Sequence, residues 1–237
     1  MSLDTGFMLH TLLLCLKTLP VTLNITLVTL AVSAPLAFGM ALAKIYRIRA
    51  VRHIISLYVS FVRGTPIVLQ ILIIYSLVPS LLNAAVKSAG LSVNVFDLNP
   101  ILYAYIVFTL NTTAALSEIF RASLLTVDRG QLEAALATGL SPFQAYRRVV
   151  IPQAALAAIP NISTLTTGLI KSTSLAFLMT VKDITAAAKI AASYGYNYIE
   201  AYLDIFAVYI IICAITQKLF GFYETRLGMW RGNTFAR

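Results

Sequence analysis

Of the 237 residues, 59% are hydrophobic and only 11% charged, and the mean hydropathy is +0.84. A soluble domain covers its surface with about 25% charged residues, so these proportions exclude an ordinary globular protein and predict an integral membrane protein folded as one membrane domain over residues 1–237. The formal charge of +9 does not mark a nucleic-acid binder, because the basic residues are scattered between apolar segments and not gathered on one soluble face.

The N-terminal MSLDTGFMLH carries Asp4 and no Lys or Arg ahead of the first apolar run. A cleavable signal peptide wants a positive leader, so this segment is expected in the mature protein. An α-helix needs about 17 to 25 apolar residues to cross the hydrocarbon. Five stretches qualify, at about 18–43, 66–82, 100–120, 154–179 and 201–219, which predicts an all-α protein of about five transmembrane helices with its ends on opposite sides. Lys44, Arg47, Arg49, Arg52 and Arg63 follow the first span, Arg121, Arg129, Arg147 and Arg148 the third, and Arg226, Arg231 and Arg237 the last. This excess falls on one side, the cytoplasm by the positive-inside rule, leaving the N-terminus outside.

Between the first two spans, residues 54–63 read as a short helix reaching the membrane surface, broken at Gly64 and Pro66. Residues 83–99 have a turn-forming density of Asn, Ser, Gly and Asp and read as a loop. Cys15 and Cys213 lie in apolar surroundings without a CxxC or Cys/His neighbour, which points to packing. His10 and His53 are isolated and lack metal-ligand spacing. Tyr194, Tyr196, Tyr198 and Tyr202 crowd the last outer segment as an interfacial aromatic belt or a contact for an external protein.

The stretch QLEAALATGLSPFQAYRRVVIPQ, 131–153, is different. Residues 131–140 have helix-forming composition, Asp128 stands as a cap, Gly139 stops the helix, and Ser141-Pro142 opens a second one with Ser at the N-cap. Two readings of this helix-break-helix stay open on these grounds. It either docks another protein or lies on the membrane surface, with Arg147 and Arg148 near anionic lipid headgroups.

Polar groups at membrane depth mark the solute path by default. Asn111, Ala115 and Glu118 share one helical face, since seven residues make nearly two turns. Glu118 can meet an ammonium group, or it can pair with Arg121 or Lys171. Lys171, Ser172, Thr173 and Ser174 can face a solute carboxylate or pack between helices. Gln70 can line the path or form an interhelical hydrogen bond. No GxxxxGK[ST] loop occurs; GLIKST, 168–173, has only two residues between its Gly and Lys, so ATP is not bound in that way.

Glu133-Ala134-Ala135, then Gly139 and Val149-Val150-Ile151-Pro152, resembles the EAA loop of permease subunits of bacterial ATP-binding-cassette (ABC) importers, with Val149 and Ile151 as mild departures. FVRGTPIVLQ at 61–70, LNTTAALSEIFRA at 110–122 and IKSTSLAF at 170–177 resemble the polar amino acid branch of that family (histidine, glutamine, arginine and cystine type). The resemblance implies a type I ABC importer permease fold in the bacterial cytoplasmic membrane. Its coupling loop, at about 128–153, would meet ATPase subunits through Glu133, Ala134, Ala135, Gly139 and Pro152. It further implies a second permease subunit, identical or similar, an extracytoplasmic solute-binding protein, and ATP with Mg on the ATPase partners and none on this chain. Asn111, Glu118, Lys171, Thr173 and Ser174 are the expected solute-pathway residues. IKSTSLAF and YNYIEAYLDIF look most like members that carry L-cystine. Nothing pairs a nucleophile with a base, so a membrane enzyme is disfavoured; a secondary transporter would want more than one carboxylate near the midplane.

Overall fold

The computed structural model describes residues 3–91 and 94–235, with side chains as far as Arg226. Every element among these residues is helical. Helix α1, Thr5–Ile45, has 41 residues and starts where Asp4 accepts a hydrogen bond from the Phe7 N–H at 2.9 Å. It begins well before residue 18, because the cap and the Leu-rich run behind it continue the apolar pattern outward. At about 1.5 Å per residue it is roughly 60 Å long, twice the hydrocarbon thickness.

After α1 come α2, Arg49–Gly64, and α3, Ile67–Ser88. The continuation of α3 through Ser88 corrects the reading of 83–99 as a loop. Ala84, Ala85 and Val86 sustain the helix; of the described residues after it, 89–91 and 94–100 are irregular apart from one 3-10 turn at Val95–Asp97 capped by Asn94. Helix α4, Ile101–Leu125, runs parallel to α1, pairing Asn24 with Tyr105, Ser33 with Thr109 and Lys44 with Glu118, and buries eleven of its residues.

Two short helices follow, α5, Arg129–Ala137, and α6, Pro142–Ala145; a π-helical turn, Tyr146–Val150, leads into α7, Ile151–Ser172. The fourth apolar stretch therefore starts earlier than expected. It also ends differently, since Thr173–Met179 is a 3-10 helix and not a continuation of α7. Helix α8, Ile184–Gly195, was not anticipated; Asp183 caps it, accepting from the Ala186 N–H at 2.8 Å. A left-handed residue, Tyr196, turns the chain into α9, Tyr198–Phe235.

Among the described residues, four helical segments are long and apolar enough to cross a membrane, Thr5–Ile45, Ile67–Ser88, Pro142–Met179 and Tyr198–Arg226. The remaining expected span is α4, whose Thr112, Thr113, Ser117 and Ser123 are buried against protein. Its partner surface on α1 is a stripe of small and hydroxyl residues, Thr22, Thr26, Thr29, Ser33, Ala37 and Ala41, each 3% exposed or less. Lipid gives helices no hydrophobic reason to associate, so close approach of small side chains and hydrogen bonds must do so. The Ser33 hydroxyl donates to the Thr109 carbonyl across this seam at 3.2 Å, and Tyr105 donates to Asn24. Larger side chains, Ile25, Ile71, Phe108 and Met179, fill the space between α1, α3, α4 and the 3-10 turn.

Candidate functional site

Two polar regions stand out, and both lie toward one end of the bundle. This is the basic end, where α1 finishes and the segment 128–153 sits.

The first region is on α4. Asn111, Ala115 and Glu118 are partly exposed between buried neighbours, so the chain's own helices cover this face only in part. The Glu118 carboxylate accepts from Lys44 Nζ at 2.6 Å and is paired with Arg121 at 2.9 Å. Arg121 was one of its two anticipated partners. Lys171 is not the other; Lys44, near the end of α1, takes that place because α1 and α4 pack in parallel, and the register that sets Ser33 beside Thr109 carries Lys44 to Glu118. Lys171 is exposed near the far end of α7. The hydroxyls of Ser172 and Thr173 donate to the carbonyls of Gly168 and Ile170 at 2.9 and 2.6 Å, so both turn back on their own helix. Thr173 is fully buried and Ser174 partly so. The structure thus brings Asn111 and Glu118 onto one face, and keeps Lys171, Thr173 and Ser174 together at the opposite end of the neighbouring helix.

Gln70 has a larger role than sequence reasoning allowed. Gly64 and Pro66 break the path from α2 to α3, and a broken helix leaves carbonyls without intrahelical donors. The Gln70 amide donates to the Val62 carbonyl at 2.8 Å, the Thr65 carbonyl at 3.1 Å and the Thr65 hydroxyl at 2.8 Å, while its oxygen accepts from Asn111 at 3.4 Å. One side chain therefore closes the break and ties it to α4. The signal in the sequence was a lone amide four residues after a Pro-marked break.

The second region is 128–153. Asp128 caps α5 by accepting from the Gly130 N–H at 2.6 Å. At the other end the Gly139 N–H donates to Leu136 at 3.0 Å and the Leu140 N–H to Ala135 at 3.3 Å, with Gly139 at φ +86°. This paired pattern is the Schellman stop, and the left-handed φ is why glycine stands there. Ser141 and Gln144 then form a reciprocal capping box at 3.3 and 2.9 Å. The π turn was not foreseen. Pro152 has no N–H to offer the Arg148 carbonyl and its ring crowds that group, so the turn widens, and Ile151 donates to Tyr146 five residues back.

Ala135, Ala145 and Val150 are buried and anchor the segment, Val150 beside Ala41, Leu124 and Ala154. Outward stand Glu133, Ala134, Gly139 and Pro152, all exposed, with Leu136 at 40% and Phe143 at 72% exposure. Tyr194 and Tyr196, at the opposite end, are 87% and 84% exposed. Cys15 and Cys213 are buried and free. Among the described residues no cluster of His, Cys, Asp and Glu could hold a metal ion.

An all-helical bundle with apolar spans, a broken helix between α2 and α3 and an ordered, outward-facing loop fits a membrane transport subunit. Residues 34–228 match the family described as the binding-protein-dependent transport system inner membrane component, and the chain belongs to this family. It is 36% identical to the probable amino-acid permease protein YxeN of Bacillus subtilis (strain 168) over 222 residues, 92% of this chain and 95% of that one. To the L-cystine transport system permease protein TcyL of the same organism it is 34% identical over 209 residues, 88% of this chain and 85% of that one. The crystal structure of an amino acid ABC transporter with histidines superposes with a TM-score of 0.78 at 27% identity, covering 95% of this chain and all of that one. The chain is therefore a multi-pass membrane permease subunit of an amino-acid ABC importer, with the type I importer permease fold.

Proposed function

We propose that this permease carries a polar amino acid inward, with L-cystine or a related sulfur amino acid as the first solute to test, driven by ATP hydrolysis on separate subunits. The observation that carries the coupling half of this reading is the segment 128–153. Both of its helices are capped, and it is anchored by Ala135, Ala145 and Val150 while Glu133, Ala134, Leu136 and Phe143 face outward. A loop merely connecting spans gains nothing from such order, whereas a rigid protrusion can transmit force.

In this reading Glu133, Ala134, Ala135, Gly139 and Pro152 form the contact with an ATPase subunit that binds the ATP and Mg. The small Ala134 permits close approach, and the buried Ala135 seats the helix. The basic end of the bundle is the cytoplasmic one, the N-terminus lies outside, and a solute-binding protein delivers from there. The partly covered face of Asn111 and Glu118 is completed by a second permease subunit, and Lys171, Thr173 and Ser174 stand nearer the entry. Nucleotide then shifts the pair between inward-open and outward-open arrangements.

The test is copurification with the ATPase subunits of its importer, followed by solute-stimulated ATPase activity across the amino acids. Glu133→Arg is expected to abolish copurification while leaving membrane insertion intact; normal copurification would remove Glu133 from the contact. Uptake in proteoliposomes lacking any ATPase would overturn the ATP-driven reading.

A further inference from the structure

The stretch FVRGTPIVLQ contains an arginine that neither the coupling loop nor the Glu118 ion pairs use. Helix α2, which carries it, has three distinct faces. Ile55, Val59 and Val62 are 6–7% exposed and pack beside Ala114. Ile54, Leu57 and Phe61 are 65–74% exposed, an apolar strip such as lipid or a second subunit would cover. The third face is Arg49, His53, Ser56, Ser60 and Arg63, all exposed and spaced by four, three, four and three residues, which keeps them in one row.

That row climbs into the membrane. Helix α2 starts beside the end of α1 and finishes where Gln70 ties the Val62 carbonyl to Asn111. From Asn111 to Arg121 there are ten helical residues, about 15 Å, or about half the hydrocarbon thickness. With Arg121 taken as the level of the headgroups, Arg63 stands near the midplane and not among the cytoplasmic charges with which it was first grouped, one residue past Val62, at the top of a polar row and at the mouth of a helix break. Ionisable groups at this depth face protein or a water-filled cavity, not lipid, and broken helices at the midplane are where transporters hold their solutes.

The guanidinium has no internal counter-charge. Lys44 and Arg121 share Glu118, whereas Arg63 has no ion pair among the described residues, and between Asp4 and Asp97 the sequence contains no acidic residue at all. A cation so placed calls for an anion from outside the chain. Every amino acid supplies one in its α-carboxylate, whatever its side chain, and a guanidinium grips a carboxylate through two parallel hydrogen bonds. We propose that Arg63 receives the α-carboxylate of the amino acid in transit, and that Ser60, Ser56, His53 and Arg49 line the way from there to the basic end. This rests on the amino-acid import reading above.

The test uses the complete importer in proteoliposomes, with ATP inside and the twenty amino acids plus L-cystine as probes. Copurification and basal ATPase activity are checked for each variant. Arg63→Gln should lower uptake of the carried amino acid by about tenfold or more, the scale of one lost charge-assisted hydrogen bond, and Arg63→Lys should retain an intermediate rate. The decisive readout compares ATPase stimulation by that amino acid and by its decarboxylated amine, for example L-cystine against cystamine. The wild-type preference for the acid should narrow in Arg63→Gln, which an arginine of purely structural importance would not cause. A loss of uptake below threefold, or an equal loss for acid and amine, overturns the assignment of Arg63 alone. An intact wild-type importer that moves none of the probes overturns the import reading and the assignment with it.

Discussion

Lys44 of α1 donates to Glu118 of α4 across 2.6 Å, although the two stand 74 residues apart in the chain. With Arg121 on the other carboxylate oxygen, the three residues close the basic end of the α1–α4 seam. Breaking a buried ion pair from one side costs about 3–5 kcal/mol, because it strands the remaining charge. Here the side chains are 16% and 20% exposed, so Glu118→Gln should cost on the order of 1–3 kcal/mol. Adding Lys44→Met should recover part of that loss, as thermal melts in detergent will show. If the double variant regains stability yet still loses solute-stimulated ATPase activity, Glu118 serves the solute as well as the seam; retained stimulation confines it to the seam.

Gln70 gives a second prediction. Gln70→Leu preserves volume and helix propensity but leaves the Val62 and Thr65 carbonyls and the Asn111 amide without this partner at membrane depth. Each buried polar group so orphaned costs about 1–3 kcal/mol. The expected result is a lower melting temperature together with a loss of transport larger than that of Asn111→Leu, since the latter leaves the bonds to Val62 and Thr65 in place. Equal effects would mean that the break does not depend on Gln70.

These two sites also show what could be read ahead of the structure. The apolar stretches, the break at Gly64 and Pro66 and the helix-stop-helix around Gly139 were legible because hydropathy, proline and a left-handed glycine act locally. The pairing of Glu118 with Arg121 was legible as well, being three residues along one helix. Lys44 was not, because its nearness to Glu118 depends on the register of two helices packed through small residues. The extra length of α3 was hidden because Asn83 and Ser88 are turn formers on average, yet the helix tolerates them, Ser88 exposed and Asn83 partly so. The π turn before Pro152 was hidden because a proline in the second position of a helix ordinarily causes no distortion.

Gly139 allows coupling to be separated from folding. A Cβ there would meet nothing within 4 Å, but φ is +86°, so an alanine pays only the left-handed backbone penalty of about 1 kcal/mol. Asn, which tolerates that region better, should pay less. Gly139→Asn is therefore expected to leave the melting temperature of the isolated permease nearly unchanged. Reduced ATPase copurification in that variant would show that a partner backbone approaches this side of the loop; unchanged copurification of both Gly139→Asn and Gly139→Ala would remove Gly139 from the contact.

Asp183 supplies a pH dependence whose sign can be worked out. Its side chain is fully buried beyond the end of the fourth span. Desolvation pushes the carboxyl up to about 6 despite the hydrogen bond from the Ala186 N–H. No cation is paired with it among the described residues. An unfolded aspartate titrates near 3.9. Between these values the folded protein holds a proton that the unfolded chain has released, so stability falls as pH rises through the window. The contribution is most favourable below about pH 4 and is lost above about pH 6, a difference of two pH units and on the order of 3 kcal/mol. Asp183→Asn keeps an oxygen to cap α8 and removes the charge. Subtracting its melting temperatures from those of the wild type between pH 4.5 and 7.5 cancels the other titrating groups. The wild type should lose ground to the variant steadily up to about pH 6 and then run parallel to it. Parallel curves over the whole range would mean that Asp183 is solvated in the membrane-bound protein and that α8 is not packed against α1 as it stands here.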